Sequence, residues 1–208
     1  NSLTPCVTLY HWDMPQALED QGGWPIRDTA LAFVDYADIV SKHLGDRVQL
    51  WTTHNEPWCA SMLGYNEGRH APGRTNLRDA VAASHHMLLS NGLSVPVIRG
   101  NVKDSQVGIV LNTVPGIPAS QTDADKDAFR KFDGEFNRWY LDPLYKGHYP
   151  EDVLEDFSKD KSFEGNDFSF IQDGDNKAIQ APTDFLGVNY YSRGLISADP
   201  EANPPGKI

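Results

Sequence analysis

The chain has 208 residues, 39% of them hydrophobic and 23% charged, with 29 acidic against 18 basic side chains for a net charge of −11. That length can bury one good core, and the acidic balance disfavours nucleic acid and anionic membrane surfaces as partners. No apolar run approaches the roughly 20 residues that span a bilayer, and the seven His lack the spacing of a zinc site.

In chain order, Asn1-Ser2-Leu3-Thr4-Pro5 has no basic n-region and leads directly into a first strand at 7–10, so no secretory signal is expected. A helix follows with Asp28 as its N-cap, Phe33, Ala37, Val40 and Leu44 at helical spacing, and Gly45 at its stop. Residues 48–53 are β-branched and aromatic and predict a second strand, with Pro57 ending its ladder. A loop containing Gly64, Gly68, Pro72 and Gly73 leads to a second helix, whose apolar side is Leu77, Ala80, Val81, Ser84, Leu88 and Leu89.

A third strand is expected at 107–111 and a third helix at 123–140, with Phe129, Phe132, Phe136 and Tyr140 packing into the core. The polar segment 158–184, with Gly165 and Gly174, reads as a long loop, 185–190 as a fourth strand, and 199–206, with Pro200, Pro204 and Pro205, as a loop. Cys6 and Cys59 lie in apolar sequence and read as two buried free thiols. Strand–helix–strand alternation argues for one parallel α/β domain over 1–208. Four units of this length use the whole chain, and eight would make an insertion-rich (β/α)8 TIM barrel.

The strand ends share a chemistry. The first ends in His11-Trp12-Asp13, the second in Asn55-Glu56-Pro57-Trp58, the third in Asn112 and the fourth in Asn189-Tyr190-Tyr191. Amides and imidazoles donate to and accept from hydroxyls, and aromatic faces pack on sugar rings. A carboxylic acid in such company can protonate a glycosidic oxygen. Taken singly, each group reads as ordinary packing; their common position at strand C-termini is the signal.

Longer motifs resemble family 1 glycoside hydrolases, the β-glucosidase family. Thr8-Leu9-Tyr10-His11-Trp12-Asp13, Pro15-Gln16 and Gly22-Gly23-Trp24 are similar to that family's third-strand region, and Trp51 to Pro57 to its fourth-strand motif. Gly64-Tyr65, Gly68 and His70-Ala71-Pro72-Gly73 resemble the loop after it. Phe136-Asn137-Arg138-Trp139-Tyr140, Asp142-Pro143 and Gly147 with Tyr149-Pro150 resemble the fifth-helix region, and 184–191 the sixth strand.

The resemblance implies the central half of a (β/α)8 barrel and a retaining β-glycosidase without cofactor or metal, acting on a β-glucoside or cello-oligosaccharide. It implies Glu56 as general acid/base, Asn55 on the sugar 2-hydroxyl, and His11 with Trp12 on the glycone. Trp58 would wall the aglycone site, Asn112 line an outer subsite, Tyr191 bond the nucleophilic carboxylate and Asn189 line the same region. The family's nucleophile lies in a Glu-Asn-Gly motif, and none occurs here. The chain is therefore expected to be an internal fragment, inactive alone. A β-galactosidase, β-fucosidase or 6-phospho-β-glucosidase of the same family stays open, as does a non-catalytic sugar-binding protein. A myrosinase-like enzyme is disfavoured, because that branch carries Gln at the position of Glu56. A cytoplasmic location is expected at family level, and the oligomeric state is left open.

Overall fold

The computed structural model describes residues 2–164 and 167–201. Its strands are β1 (Cys6–Tyr10), β2 (Leu50–Asn55), β3 (Gln106–Asn112), β4 (Gly116–Pro118), β5 (Phe185–Asn189) and β6 (Gly194–Ile196). The longer four form one all-parallel sheet in the order β1-β2-β3-β5, with Val7 opposite Trp51, Trp51 opposite Val107 and Ile109 opposite Leu186. Parallel neighbours need crossovers, and helices supply them. α1 (Gln16–Glu19) and α2 (Arg27–Leu44) join β1 to β2, and α3 (Leu77–Asn101) joins β2 to β3. α4 (Asp123–Asp133), α5 (Trp139–Tyr145), α6 (Glu151–Ser158) and α7 (Asp175–Ile179) lie between β3 and β5. The core runs between sheet and helices, where Trp51, Val107, Ile109, Met87, Leu88 and Trp139 are fully buried.

All four expected strands are present with ends moved by one or two residues. The second is displaced most: it starts at Leu50 and continues to Asn55. The α2 cap is Ile26, and Asp28 sits in the first turn, where its charge favours the helix dipole without capping. α3 is buried nearly all round, including Ser84, His85, His86, Ser90 and Asn91, because α2, α7 and the segment after β2 all cover it. At Gly92 an added Cβ would lie 2.0 Å from the Ala178 carbonyl, so this glycine is what lets α7 approach.

Three further expectations are corrected. Residues 123–140 are not one α-helix: α4 ends at Asp133, a π-helical turn spans Gly134–Arg138, and α5 follows. Gly134 lets Val153 of α6 come close there, while Asn137 bonds the backbone N–H and carbonyl of Val114 at 3.1 and 3.0 Å. Cys6 is exposed; only Cys59 is buried. The segment 158–184 is more than a loop. Phe163, Phe170 and Ile179 are buried, and Asp175, 2% exposed, accepts two bonds from Arg27 at 2.6 and 2.8 Å. The short parallel pair β4–β6 was not expected. Gly165 and the 202–206 part of the expected terminal loop lie outside the described residues.

Candidate active site

The carboxyl ends of the four parallel strands bring the sugar-type residues together. β2 ends at Asn55, and the next residue, Glu56, takes a left-handed backbone at φ 49°. Its N–H still reaches β3, donating to the Val110 carbonyl at 2.8 Å, while its own carbonyl accepts from the Cys59 N–H at 2.9 Å. The residue therefore closes the ladder and starts the helical segment that runs through the π-helical stretch Cys59–Asn66. A non-glycine residue in this region costs on the order of 1–3 kcal/mol and persists only where its surroundings impose it. Alternation along β2 sends His54 to the side opposite Asn55, where it is fully buried behind the sheet with Nε2 2.8 Å from Ser90 Oγ.

Glu56 is 5% exposed, and both carboxylate oxygens are held. Asn189 Nδ2 donates to Oε1 at 2.6 Å, and the Cys59 thiol donates to Oε2 at 3.1 Å. The same Asn189 nitrogen donates to Asn55 Oδ1 at 3.1 Å. Asn55 in turn meets His11 Nε2 through Nδ2 at 3.3 Å. Since Asn55 Nδ2 can only donate, His11 Nε2 accepts, which places that ring's proton on Nδ1. Trp12, with φ 84°, donates its indole N–H to the Asn55 carbonyl at 2.9 Å and lies between His11 and His70, with ring centroids 5.2 and 5.3 Å away.

Five expected site residues, His11, Trp12, Asn55, Glu56 and Asn189, thus form one hydrogen-bonded cluster. Asn112, at the end of β3, joins it through Cys59, with Nδ2 3.7 Å from Sγ. Trp58 is buried beside the cluster with its ring 4.4 Å from that of Phe136. Tyr191 does not join it and stands 81% exposed beyond β5. Cys59 was read only as a buried thiol. Its position three residues after Glu56, on the same face of a helical turn, was the available signal. Burial pushes the Cys59 thiol well above its ordinary range, and the neighbouring Glu56 adds to that, so it stays protonated. Among the described residues no group of three or more His, Cys, Asp or Glu could hold a metal ion, and no helix is long and apolar enough to cross a membrane.

The carboxyl edge of the parallel sheet gathers a buried carboxyl, amides, an imidazole and indoles, groups able to bond hydroxyls and to pack on a sugar-like ring. Comparison with known proteins identifies the family. Residues 1–206 match Glycosyl hydrolase family 1. The chain is 44% identical over 202 residues to beta-glucosidase A of Acetivibrio thermocellus, an alignment covering 97% of this chain and 44% of that protein. It is 38% identical over 212 residues to the 1,4-beta-D-glucan glucohydrolase of Thermotoga neapolitana, covering 100% and 47%. The solved GH1 beta-glucosidase of Exiguobacterium antarcticum superposes with a TM-score of 0.88 at 44% identity, over 93% of this chain and 43% of that one. The chain belongs to glycosyl hydrolase family 1. It spans less than half the length of these relatives, and its four parallel strands are part of the (β/α)8 barrel of such neighbours.

Proposed function

We propose that the chain carries the acid/base half of a retaining β-glycosidase site, of β-glucosidase type, acting on terminal β-D-glucosyl residues of a β-glucoside or cello-oligosaccharide. One observation carries the reading: the buried Glu56 carboxyl sits at a strand end, bonded to Asn189 and flanked by Asn55 and, through it, His11. Glu56 first protonates the departing glycosidic oxygen, while a carboxylate outside these 208 residues attacks the anomeric carbon. Glu56 then takes a proton from the water that releases the sugar. Asn55 holds the 2-hydroxyl, His11 and Trp12 the other glycone hydroxyls, Trp58 the aglycone and Asn112 an outer subsite. Tyr191 serves the nucleophile, with Asn189 between the two carboxylates. The name borne by the Thermotoga neapolitana relative supports a glucan substrate, and two free cysteines fit a reducing, cytoplasmic location.

The glutamates after Glu56 are Glu67, Glu135, Glu151, Glu155, Glu164 and Glu201, and none stands in a Glu-Asn-Gly motif. The 208 residues alone are therefore inactive in this proposal, and turnover of an aryl β-glucoside within about tenfold of an intact family member would refute that. The acid role is tested by Glu56→Gln in the full-length polypeptide. Hydrolysis of poor leaving groups is expected to fall about 100-fold or more, and bond cleavage of activated aryl glucosides far less. Equal losses on both substrate types would remove Glu56 from the acid role.

A further inference from the structure

The two oxygens of the Glu56 carboxyl are held by chemically different neighbours. Asn189 Nδ2 meets two acceptors at once, Asn55 Oδ1 and Glu56 Oε1, which fixes the direction of that amide. An amide nitrogen donates and never accepts. Oε1 is therefore kept as an acceptor, and a proton on Glu56 has one place to sit, Oε2. That oxygen faces the Cys59 thiol at 3.1 Å, and Asn112 Nδ2 approaches the same sulfur at 3.7 Å.

A thiol is a weak donor and a weak acceptor. Against the carboxylate, Cys59 donates its S–H to Oε2. Against the carboxylic acid, it rotates the S–H away and accepts from Oε2–H. A residue able only to donate, such as the amide on Oε1, would oppose protonation; an alkyl group would leave the buried carboxylate short of a partner. Resting on the acid/base reading of Glu56, we infer that Cys59 is a positioning residue for the reaction: it holds the proton-carrying oxygen of Glu56 in both states of the cycle.

The titratable or charged groups facing this pair are few. His11, at the end of β1, reaches it through Asn55, while Glu67 and Arg69, after the π-helical segment, and the Tyr140 phenol of α5 interact with the thiol electrostatically. β3 and β5 contribute the amides Asn112 and Asn189.

The test compares wild type, Cys59→Ala, Cys59→Ser and Glu56→Gln in the full-length polypeptide, on an alkyl β-glucoside and on a dinitrophenyl β-glucoside. Losing one hydrogen bond to the carboxyl predicts a fall of about three- to tenfold in kcat/KM for Cys59→Ala on the alkyl substrate and less than about twofold on the activated one. The alkaline limb of its pH profile moves upward, because the charge-assisted bond lost from the carboxylate outweighs the weaker one lost from the acid. Cys59→Ser, whose hydroxyl also donates and accepts, keeps the wild-type leaving-group dependence and pH limb.

Cys59→Ala indistinguishable from wild type on both substrates overturns the proposal. So does Cys59→Ser impaired in the same pattern as Cys59→Ala, since only size would then matter. If Cys59→Ala does not fold, Cys59→Ser decides on its own: loss of the leaving-group dependence counts against the role. Glu56→Gln without leaving-group discrimination defeats the acid reading, whereas normal discrimination there beside a silent Cys59→Ala defeats only this one. Should no glycoside be turned over, the Glu56 carboxyl midpoint read by carbon-13 NMR still answers, an unchanged midpoint in Cys59→Ala being the contrary result.

Discussion

The amide of Asn189, at the end of β5, reaches past β3 to the carboxylate of Glu56, at the end of β2, and bonds it at 2.6 Å. Adjacent strands lie about 4.8 Å apart, so the two backbones are separated by about 10 Å and both side chains must lie toward one another over the intervening strand. The contact ties together residues 133 positions apart and sets the orientation of the carboxyl.

Replacing Asn189 tests that tie. A hydrogen bond to a charged group is worth about 1.5–3 kcal/mol, so Asn189→Ala in the full-length polypeptide is expected to lower kcat/KM by about ten- to a hundredfold. Asn189→Asp should be worse near neutral pH, because it sets a second carboxylate against Glu56. Steady-state kinetics across pH measures both, and activity unchanged in Asn189→Ala would speak against the bond.

Trp58 is expected to act on the aglycone side. Trp58→Ala removes an indole packed on Phe136 and should raise KM for substrates with large aglycones by up to about tenfold, with little change for small ones. A series of glucosides differing only in aglycone size reads this out, and a uniform effect along the series would contradict it.

Three buried imidazoles make the fold acid-sensitive. Burial pushes His54 down to about 3 and His86 to about 4, and it lowers His85 as well although Asp175 opposes it. The unfolded chain protonates these groups near 6.5, and the folded one does so only at lower pH. Below about pH 6.5 the unfolded state binds more protons, so stability falls as pH falls, by about 1.4 kcal/mol per pH unit for each proton difference. The urea midpoint should drop between pH 7 and pH 5, and His86→Gln should flatten the drop. A midpoint constant over that range would remove the argument.

The Arg27–Asp175 pair offers a fourth measurement. Burial raises the Asp175 carboxyl, but bonds from Arg27, His85 and the Gln172 N–H outweigh it and leave the group below the ordinary carboxylate range. Its contribution is full above about pH 4 and disappears as pH falls through the lower folded value. Because Arg27 is partly exposed, Asp175→Asn should cost about 2 kcal/mol near neutral pH, less than a fully buried pair would. Chemical denaturation at pH 7 measures it, and an unchanged midpoint would show the pair to be neutral.

Much of this was legible in the sequence because local pattern carried it. The four main strands are short β-branched or aromatic runs, and the chemistry-bearing residues fall immediately after them. The pairing of Asn189 with Glu56 was not legible, since it depends on strand order and on a rotamer rather than on spacing. The π-helical turn at Gly134–Arg138, where Val153 packs against Gly134, leaves no mark in the apolar periodicity. Phe163, Phe170 and Ile179 were hidden because the apolar residues of this polar stretch follow neither a helical nor a strand period. Cys6 misled because apolar neighbours along the chain do not say whether anything packs over the side chain.

The left-handed backbone at Glu56 has an evolutionary consequence. The residues that suit φ near 49° best, Gly and Asn, have no acidic proton to offer, whereas Glu has one and suits it poorly. Drift toward greater folding stability at this position therefore runs directly away from chemistry. Under the proposed acid role, a homologue carrying Gly or Asn there would be sturdier and silent, and Glu at 56 would exchange robustness for turnover.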